Sequence, residues 1–354
     1  MKRSFLQTIL QIFPVETAHN IRLTLLGCAG KLPAGKWVIN RTLAPHNIKL
    51  DREVFGKHFD NPIGVAAGYD TNGDHLDELA AAGFGFVEIG SVLPHPQPGT
   101  PRPRLRRDDD TASYIDNSGY PCKGLEHILQ NVRQRTKHTQ DLVIGCNIGK
   151  CTSTHPDDVI KEYLRVFRNM YQYVDFFVIN IACNTSAKPF VPTSRDQILA
   201  LIEPLFEFRR GQLDYRPILL KISPDLTWQQ IDDIVSILIE TPLDGIEAVA
   251  GSCSMLTTER GAISGAALTE RAIEIVHYIS QRTEGNYPII GSGGMMTPDD
   301  IQRMLNAGAS LVALNSGLRE YGLKLLRSTA KHLTQPQPTA QTQISIDSTT
   351  ETKE

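Results

Sequence analysis

Four polar residues lie at or near the ends of short apolar runs: Asn147, Asn180, Cys183 and Lys221. A lysine in such a run is costly to bury unless an anion meets it. Each residue alone also has an ordinary explanation, namely a salt-bridged lysine, backbone-bonded asparagines and a core cysteine. Together they favour a bound ligand with polar ring edges, towards which a cysteine could act as a general base.

Two later apolar runs end in small residues. The run 288–294 ends in Gly293-Gly294, the run 311–317 contains Asn315-Ser316, and a helical pattern follows each. Glycines let backbone N–H groups approach an anion, and two such strand ends side by side form the phosphate site common in (β/α)8 barrels. The alternative is two ordinary buried strands with glycine turns. With the lysine and the amides, a phosphate site would suit flavin mononucleotide (FMN).

These residues belong to a repeated pattern in which apolar runs alternate with helical segments. The runs are 61–68, 84–92, 143–150, 176–183, 218–224, 245–252, 288–294 and 311–317. Eight near-continuous apolar strands, each followed by a helix, predict an α/β fold, a parallel (β/α)8 TIM barrel. A doubly wound sheet is the alternative, but the eightfold count and the missing GxGxxG fingerprint disfavour it. The long connections 93–122 and 184–193 are expected to cover or contact the ligand.

The pattern divides the chain into three parts. Residues 1–35 carry two amphipathic helical stripes, the first ended by Pro14 and the second beginning near Glu16. These helices either cap the bottom of the barrel or contact a membrane interface. Residues 36–333 are predicted to form the FMN-binding barrel, and the polar, low-complexity segment 334–354 is predicted to be disordered.

Composition excludes several classes of function. The 354 residues are 41% hydrophobic and 21% charged, with a net charge of −3, which is typical of a globular protein and gives no indication of a nucleic-acid partner. The six cysteines form no CxxC pair, and we find no metal motif. Without a signal peptide or a long apolar stretch, we expect reduced thiols in a cytosolic setting.

The motifs together resemble the dihydroorotate dehydrogenase family, specifically its membrane-associated, quinone-using class. The resemblance covers about residues 12–330, through FPVETAHN (13–20), NPIGVAAGYDTNGD (61–74), GFGFVEIGSVLPHPQPGTPRPRLRR (83–107), NIGK (147–150), LKISPDL (220–226), ISGAAL (263–268), IIGSGG (289–294) and AGASLVALNSG (307–317). It implies an FMN enzyme of pyrimidine biosynthesis that oxidises dihydroorotate to orotate and passes electrons to a quinone. It also favours peripheral membrane contact through residues 1–35, on the cytoplasmic side.

The resemblance assigns roles to particular residues. It implies FMN contacts at Ala67, Gly68, Ser91, Asn147, Asn180, Lys221, Gly265, Gly293, Gly294, Asn315 and Ser316. It places His19 and Arg107 at positions of the quinone tunnel. Cys183 occupies the position of the catalytic serine, and cysteine is the base in the family's soluble class. Substrate contacts would come from Asn180, Asn184, Asp116 and Thr71.

The substrate side departs from the family pattern. Thr71 replaces a lysine that pairs with the orotate carboxylate, and Asp116 replaces an asparagine. The strand-four motif lacks its proline, and Val249-Ala250-Gly251 aligns with a Thr-Asn-Thr run. Loss of one charge-assisted hydrogen bond, about 1.5–3 kcal/mol, would lower carboxylate affinity by about one to two decades. A divergent relative with a non-carboxylate cyclic substrate and a non-catalytic flavin-binding protein are therefore the alternatives.

Overall fold

A closed barrel of parallel strands lies at the centre of the molecule, with helices around it. The computed structural model describes residues 10, 12–46, 48–135, 139, 142–182, 192, 194–255 and 261–335. In chain order the strands are β1 (Arg52–Val54), β2 (Lys57–Phe59), β3 (Ile63–Val65), β4 (Phe86–Val92), β5 (Leu105–Asp108), β6 (Ser113–Asp116), β7 (Val143–Ile148), β8 (Phe176–Asn180), β9 (Ile218–Ile222), β10 (Gly245–Ala248), β11 (Ala262–Gly265), β12 (Ile289–Gly291) and β13 (Leu311–Leu314).

The α-helices follow the strands in the predicted alternation. They are α1 (Val15–Lys31), α2 (Gly35–Leu43), α3 (Leu76–Ala81), α4 (Leu125–Arg133), α5 (Val159–Met170), α6 (Arg195–Arg210), α7 (Trp228–Glu240), α8 (Thr269–Arg282), α9 (Pro298–Asn306), α10 (Ser316–Tyr321) and α11 (Lys324–Leu333). The barrel closes in the order β10-β12-β13-β3-β4-β7-β8-β9. The (β/α)8 TIM barrel predicted from the repeated apolar runs is confirmed.

A β-hairpin seals the amino-terminal end of the barrel. β1 and β2 pair in antiparallel fashion, and Val54 and Phe59 belong to the apolar cluster inside the barrel. The ring of Phe59 meets that of Phe86 edge-on, with centroids 5.9 Å apart. Because large side chains fill this end, a ligand must enter from the carboxyl ends of the strands.

A small antiparallel sheet stands over the carboxyl end. β6 pairs with β5 on one side and with β11 on the other, so Ile115 lies opposite both Arg106 and Ile263. Two of these strands come from the segment 93–122, which the sequence predicted only as a long connection. The prolines and charged residues of this segment gave no strand pattern, because β5 and β6 form only by pairing with each other and with the distant β11.

The N-terminal segment packs at the same end. α1 begins directly after Pro14, and its buried face includes His19 and Leu23. α2, which the sequence patterns did not predict, is joined to α3 by an ion pair between Lys36 and Asp77. The helix expected within residues 1–13 lies almost wholly outside the described residues, as does most of the segment 334–354.

Candidate active site

One cavity of about 880 Å³ opens among the strand ends, α1 and the antiparallel sheet. Its wall collects most of the residues that the sequence singled out, although they are scattered over some 300 positions. Those lining it are His19, Ala67, Gly68, Thr71, Ser91, Asp116, Asn147, Asn180, Lys221, Gly293, Gly294, Asn315 and Ser316.

Strand periodicity places a polar layer directly on the apolar filling of the barrel. Side chains two positions apart in a strand point to the same side, so in β4, β8 and β9 an apolar residue inside the barrel is followed by a polar one nearer the opening. The apolar layer includes Phe86, Val178 and Leu219, and the polar layer includes Glu88, Asn180 and Lys221.

An amide network fixes part of this polar layer. Asn147 donates from Nδ2 to Glu88 Oε1 at 2.6 Å, and Ser91 Oγ donates to Asn147 Oδ1 at 2.6 Å. Asn180 Nδ2 donates in turn to Ser91 Oγ at 3.3 Å. These bonds set which way each amide faces, so the donors are oriented before any ligand arrives.

Lys221 has a buried anionic partner that sequence reasoning missed. Lys221 Nζ lies 2.6 Å from Glu247 Oε1, and the two side chains are 9% and 0% exposed. Burial, and then repulsion from Glu247, raise the pKa of Glu88 well above its usual value. An acidic residue inside the apolar run 245–252 is the same kind of signal that singled out Lys221, and it identifies Glu247.

The opposite part of the cavity is a cradle of glycine backbone. Gly294 has φ +75°, and a Cβ there would lie 2.5 Å from the backbone nitrogen of Thr269. Gly293 has φ +94°, and its Cβ would lie 2.9 Å from Val249 Cγ2. Gly265 does not line the cavity, and a Cβ at Gly294 would also lie 2.8 Å from the carbonyl oxygen of Gly265. Only glycine fits these positions, which leaves the backbone accessible to an anion.

Asn315 connects this cradle to the end of β3. Asn315 Nδ2 donates to the carbonyl of Ala67 at 3.1 Å. The buried guanidinium of Arg319 donates to Asn315 Oδ1 and to the carbonyl of Gly68, both at 2.7 Å. Sequence reasoning missed Arg319, because its position depends on how α10 follows β13.

The substrate side contains the two substituted positions. Thr71 and Asp116 both line the cavity, and Asp116 Oδ1 accepts a hydrogen bond of 2.7 Å from the backbone of Ser118. The cation Lys123, also on the wall, lies 2.9 Å from Asp74.

Two arginines on the same wall are likewise paired. Arg102 and Arg104 lie 3.1 Å and 2.6 Å from the Glu16 carboxylate. A substrate carboxylate would therefore compete with existing ion pairs for these cations.

The two predicted tunnel residues are placed differently. His19 lines the cavity, with Nε2 2.7 Å from the carbonyl oxygen of Tyr69, and burial holds its pKa well below the usual value. Arg107 is not among the described residues that line the cavity, and its Nε donates a hydrogen bond to Glu320 at 3.0 Å. Cys183 and Asn184 lie outside the described residues.

The fold and the site define a (β/α)8 barrel protein with a ligand cavity at the carboxyl ends of its strands, where enzymes of this fold carry their active sites. The family model for dihydroorotate dehydrogenase matches residues 49–335. The chain therefore belongs to the dihydroorotate dehydrogenase family.

Similar proteins cover most of the chain. A "dihydroorotate dehydrogenase (quinone)" of Christiangramia forsetii is 33% identical over 333 residues, which is 92% of this chain and 97% of the relative. One from Thermosynechococcus vestitus is 36% identical over 301 residues, or 80% and 81% of the two chains.

Solved structures share the fold. A ligand-free DHODH of Eimeria tenella has a TM-score of 0.76 and 25% identity, covering 84% of this chain and 91% of that one. The DHODH of the same organism in complex with ferulenol has a TM-score of 0.74 and 24% identity, covering 90% of each chain. Their architecture is the same barrel.

Proposed function

We propose that the protein is an FMN-dependent dihydroorotate dehydrogenase that oxidises dihydroorotate to orotate and passes the electrons to a quinone. The observation that carries the proposal is one cavity that joins a polar strand-end layer to a glycine cradle, in a chain that matches the family over residues 49–335. Quinone dependence rests on the names of the relatives.

The cavity residues fit FMN. The glycine backbone at Gly293 and Gly294, where a side chain would clash, would hold the phosphate. Lys221 and Asn147, both oriented by buried carboxyl groups, would meet the polar edge of the ring. Bound FMN would supply the acceptor for a hydride.

The remaining chemistry is proton removal and substrate orientation. Cys183 would take the substrate proton as the general base. Asn180 and Asn184 are proposed to contact the substrate from the strand-four motif, and Thr71 and Asp116 from the cavity wall. His19, on the cavity wall, and Arg107, on β5, are proposed to border the quinone path.

Apolar side chains support peripheral membrane contact through the N-terminal segment. Ile12, Phe13, Leu25, Leu32, Trp37 and Val38 are large side chains between 45% and 81% exposed. None of the helices in the described ranges is long and apolar enough to cross a bilayer. We propose that residues 1–35, with the adjoining part of α2, rest on the cytoplasmic side of a membrane.

Anaerobic mixing with dihydroorotate tests the proposed activity. The yellow protein should lose its visible flavin absorbance on mixing, and quinone should restore it. Cys183→Ala should keep FMN bound and lose most of the bleaching rate. A protein that cannot take up FMN would refute the flavin assignment. Deleting residues 1–35 should reduce liposome binding and quinone reduction, and unchanged values would contradict the membrane proposal.

The second candidate is a relative that oxidises an uncharged or cationic cyclic substrate. It is favoured by Thr71 and Asp116 on the cavity wall and by the pairing of Lys123 with Asp74. Bleaching by dihydrouracil, which lacks the carboxylate, but not by dihydroorotate would support it. If dithionite alone reduced the bound FMN, the non-catalytic flavin-binding alternative would stand.

A further inference from the structure

A buried acidic residue lies beside the lysine of the polar layer, on the neighbouring strand. β9 and β10 pair in parallel with Lys221 opposite Glu247, and β8 places Asn180 opposite the other side of Lys221. The three side chains therefore lie at one level of the barrel. With Nζ and Oε1 2.6 Å apart and the carboxylate fully buried, water screens this ion pair very little.

Glu247 is the acid of this group that contacts the ammonium group of Lys221. Glu88, the other acid at this level, receives the amide of Asn147, and its raised pKa favours the protonated form. A proton on Glu88 would also relieve the repulsion between the two carboxyl groups. Lys221 and Glu247 form the ion pair of the cluster.

We propose that Glu247 is a positioning residue that lowers the reduction potential of FMN by offsetting the charge of Lys221. The inference rests on the part of the proposed function that places FMN against Lys221. It does not depend on the identity of the substrate.

The direction follows from electrostatics. Reduced flavin carries more negative charge at its polar ring edge than oxidised flavin, so an adjacent ammonium group favours the reduced form. A carboxylate oxygen 2.6 Å from the ammonium nitrogen cancels part of the electric field of the ammonium group in a medium of low dielectric constant. The flavin is consequently a stronger electron donor than it would be beside an unpaired lysine, which assists transfer to the acceptor.

The test is the reduction potential of bound FMN in the full-length holoprotein, measured against a reference dye during anaerobic reduction. Glu247→Gln should raise the ratio of the dissociation constants of oxidised and reduced FMN about tenfold, which is a potential about 30 mV more positive for a two-electron couple.

Glu320→Gln is the matched control, because Glu320 is equally buried and is paired with an arginine away from Lys221. Its potential should equal that of the wild type. Glu247→Leu removes the same charge with a side chain of similar size, and it serves if Glu247→Gln does not fold. An unchanged or more negative potential in the Glu247 variants would overturn the inference.

The two proposals fail separately. If wild-type protein binds FMN but dihydroorotate does not bleach it, the proposed substrate is wrong, and the potentials still decide the role of Glu247. If the protein cannot bind FMN, the inference falls with the cofactor assignment.

Discussion

Arg107 offers a sharp test, because its contacts predict a loss of stability on substitution while its sequence position predicts a tunnel role. Its guanidinium donates to both oxygens of Glu320, at 3.0 Å and 3.1 Å, and the Tyr114 hydroxyl donates to the same carboxylate at 2.7 Å. The Glu320 side chain is 1% exposed. These bonds join β5 and β6 of the small antiparallel sheet to α10.

Arg107→Ala would leave a buried carboxylate without its cation. Removing one partner of such a pair costs about 3–5 kcal/mol of unfolding free energy. With a urea m-value of about 3 kcal/mol/M, the unfolding midpoint should fall by about 1 to 1.7 M. The assay is urea unfolding at saturating FMN, followed by far-ultraviolet circular dichroism.

Arg303→Ala is the control, because Arg303 pairs with Glu270 on the surface, where the side chains are 40% and 78% exposed. It should cost no more than about 1 kcal/mol. Equal midpoints for the two variants would refute the reasoning about burial. If Arg107→Ala instead raises the KM for quinone and leaves the midpoint unchanged, Arg107 acts in the tunnel and not as a structural ion pair.

Three other substitutions test the cavity and its edges. Gly294→Ala should abolish FMN uptake, measured by bound absorbance, because its Cβ would meet Thr269 at 2.5 Å; Gly285→Ala, where nothing lies within 4 Å, should retain the cofactor. Burial raises the pKa of Asp74, but its hydrogen bonds outweigh this effect and lower the pKa to about 2. The ionised Asp74 carboxylate therefore stabilises the fold above about pH 4, and this contribution is lost towards pH 2. Unfolding at several pH values should show the stability gap between wild type and Asp74→Asn closing over that range. Burial lowers the pKa of His19, so below about pH 6.5 the unfolded state binds a proton on this residue that the folded state does not bind. Acidification therefore destabilises the wild type through His19, and His19→Gln should be destabilised less. Identical pH profiles of the unfolding free energy would contradict this.

Local patterns were sufficient for the barrel. Runs such as 143–150 and 218–224 are apolar on both faces, and a strand of that kind is stable only when both faces are covered. The strand-end position of Asn147, Asn180 and Lys221 follows from the same alternation, since parallel strands bring their carboxyl ends to one side. The glycine cradle could also be predicted from the sequence, because only glycine tolerates the backbone conformation found at Gly293 and Gly294.

Side-chain partners and the cover over the cavity were decided by the tertiary structure. Glu247 meets Lys221 across 26 positions of sequence, and Arg107 meets Glu320 across 213. Such pairs depend on strand register and helix placement, which composition and periodicity leave undetermined. The sequence by itself determined the barrel and the polar, glycine-rich rim of its site. Only the folded chain decided how the charges within that rim are paired, because burial removes the water that would otherwise screen them.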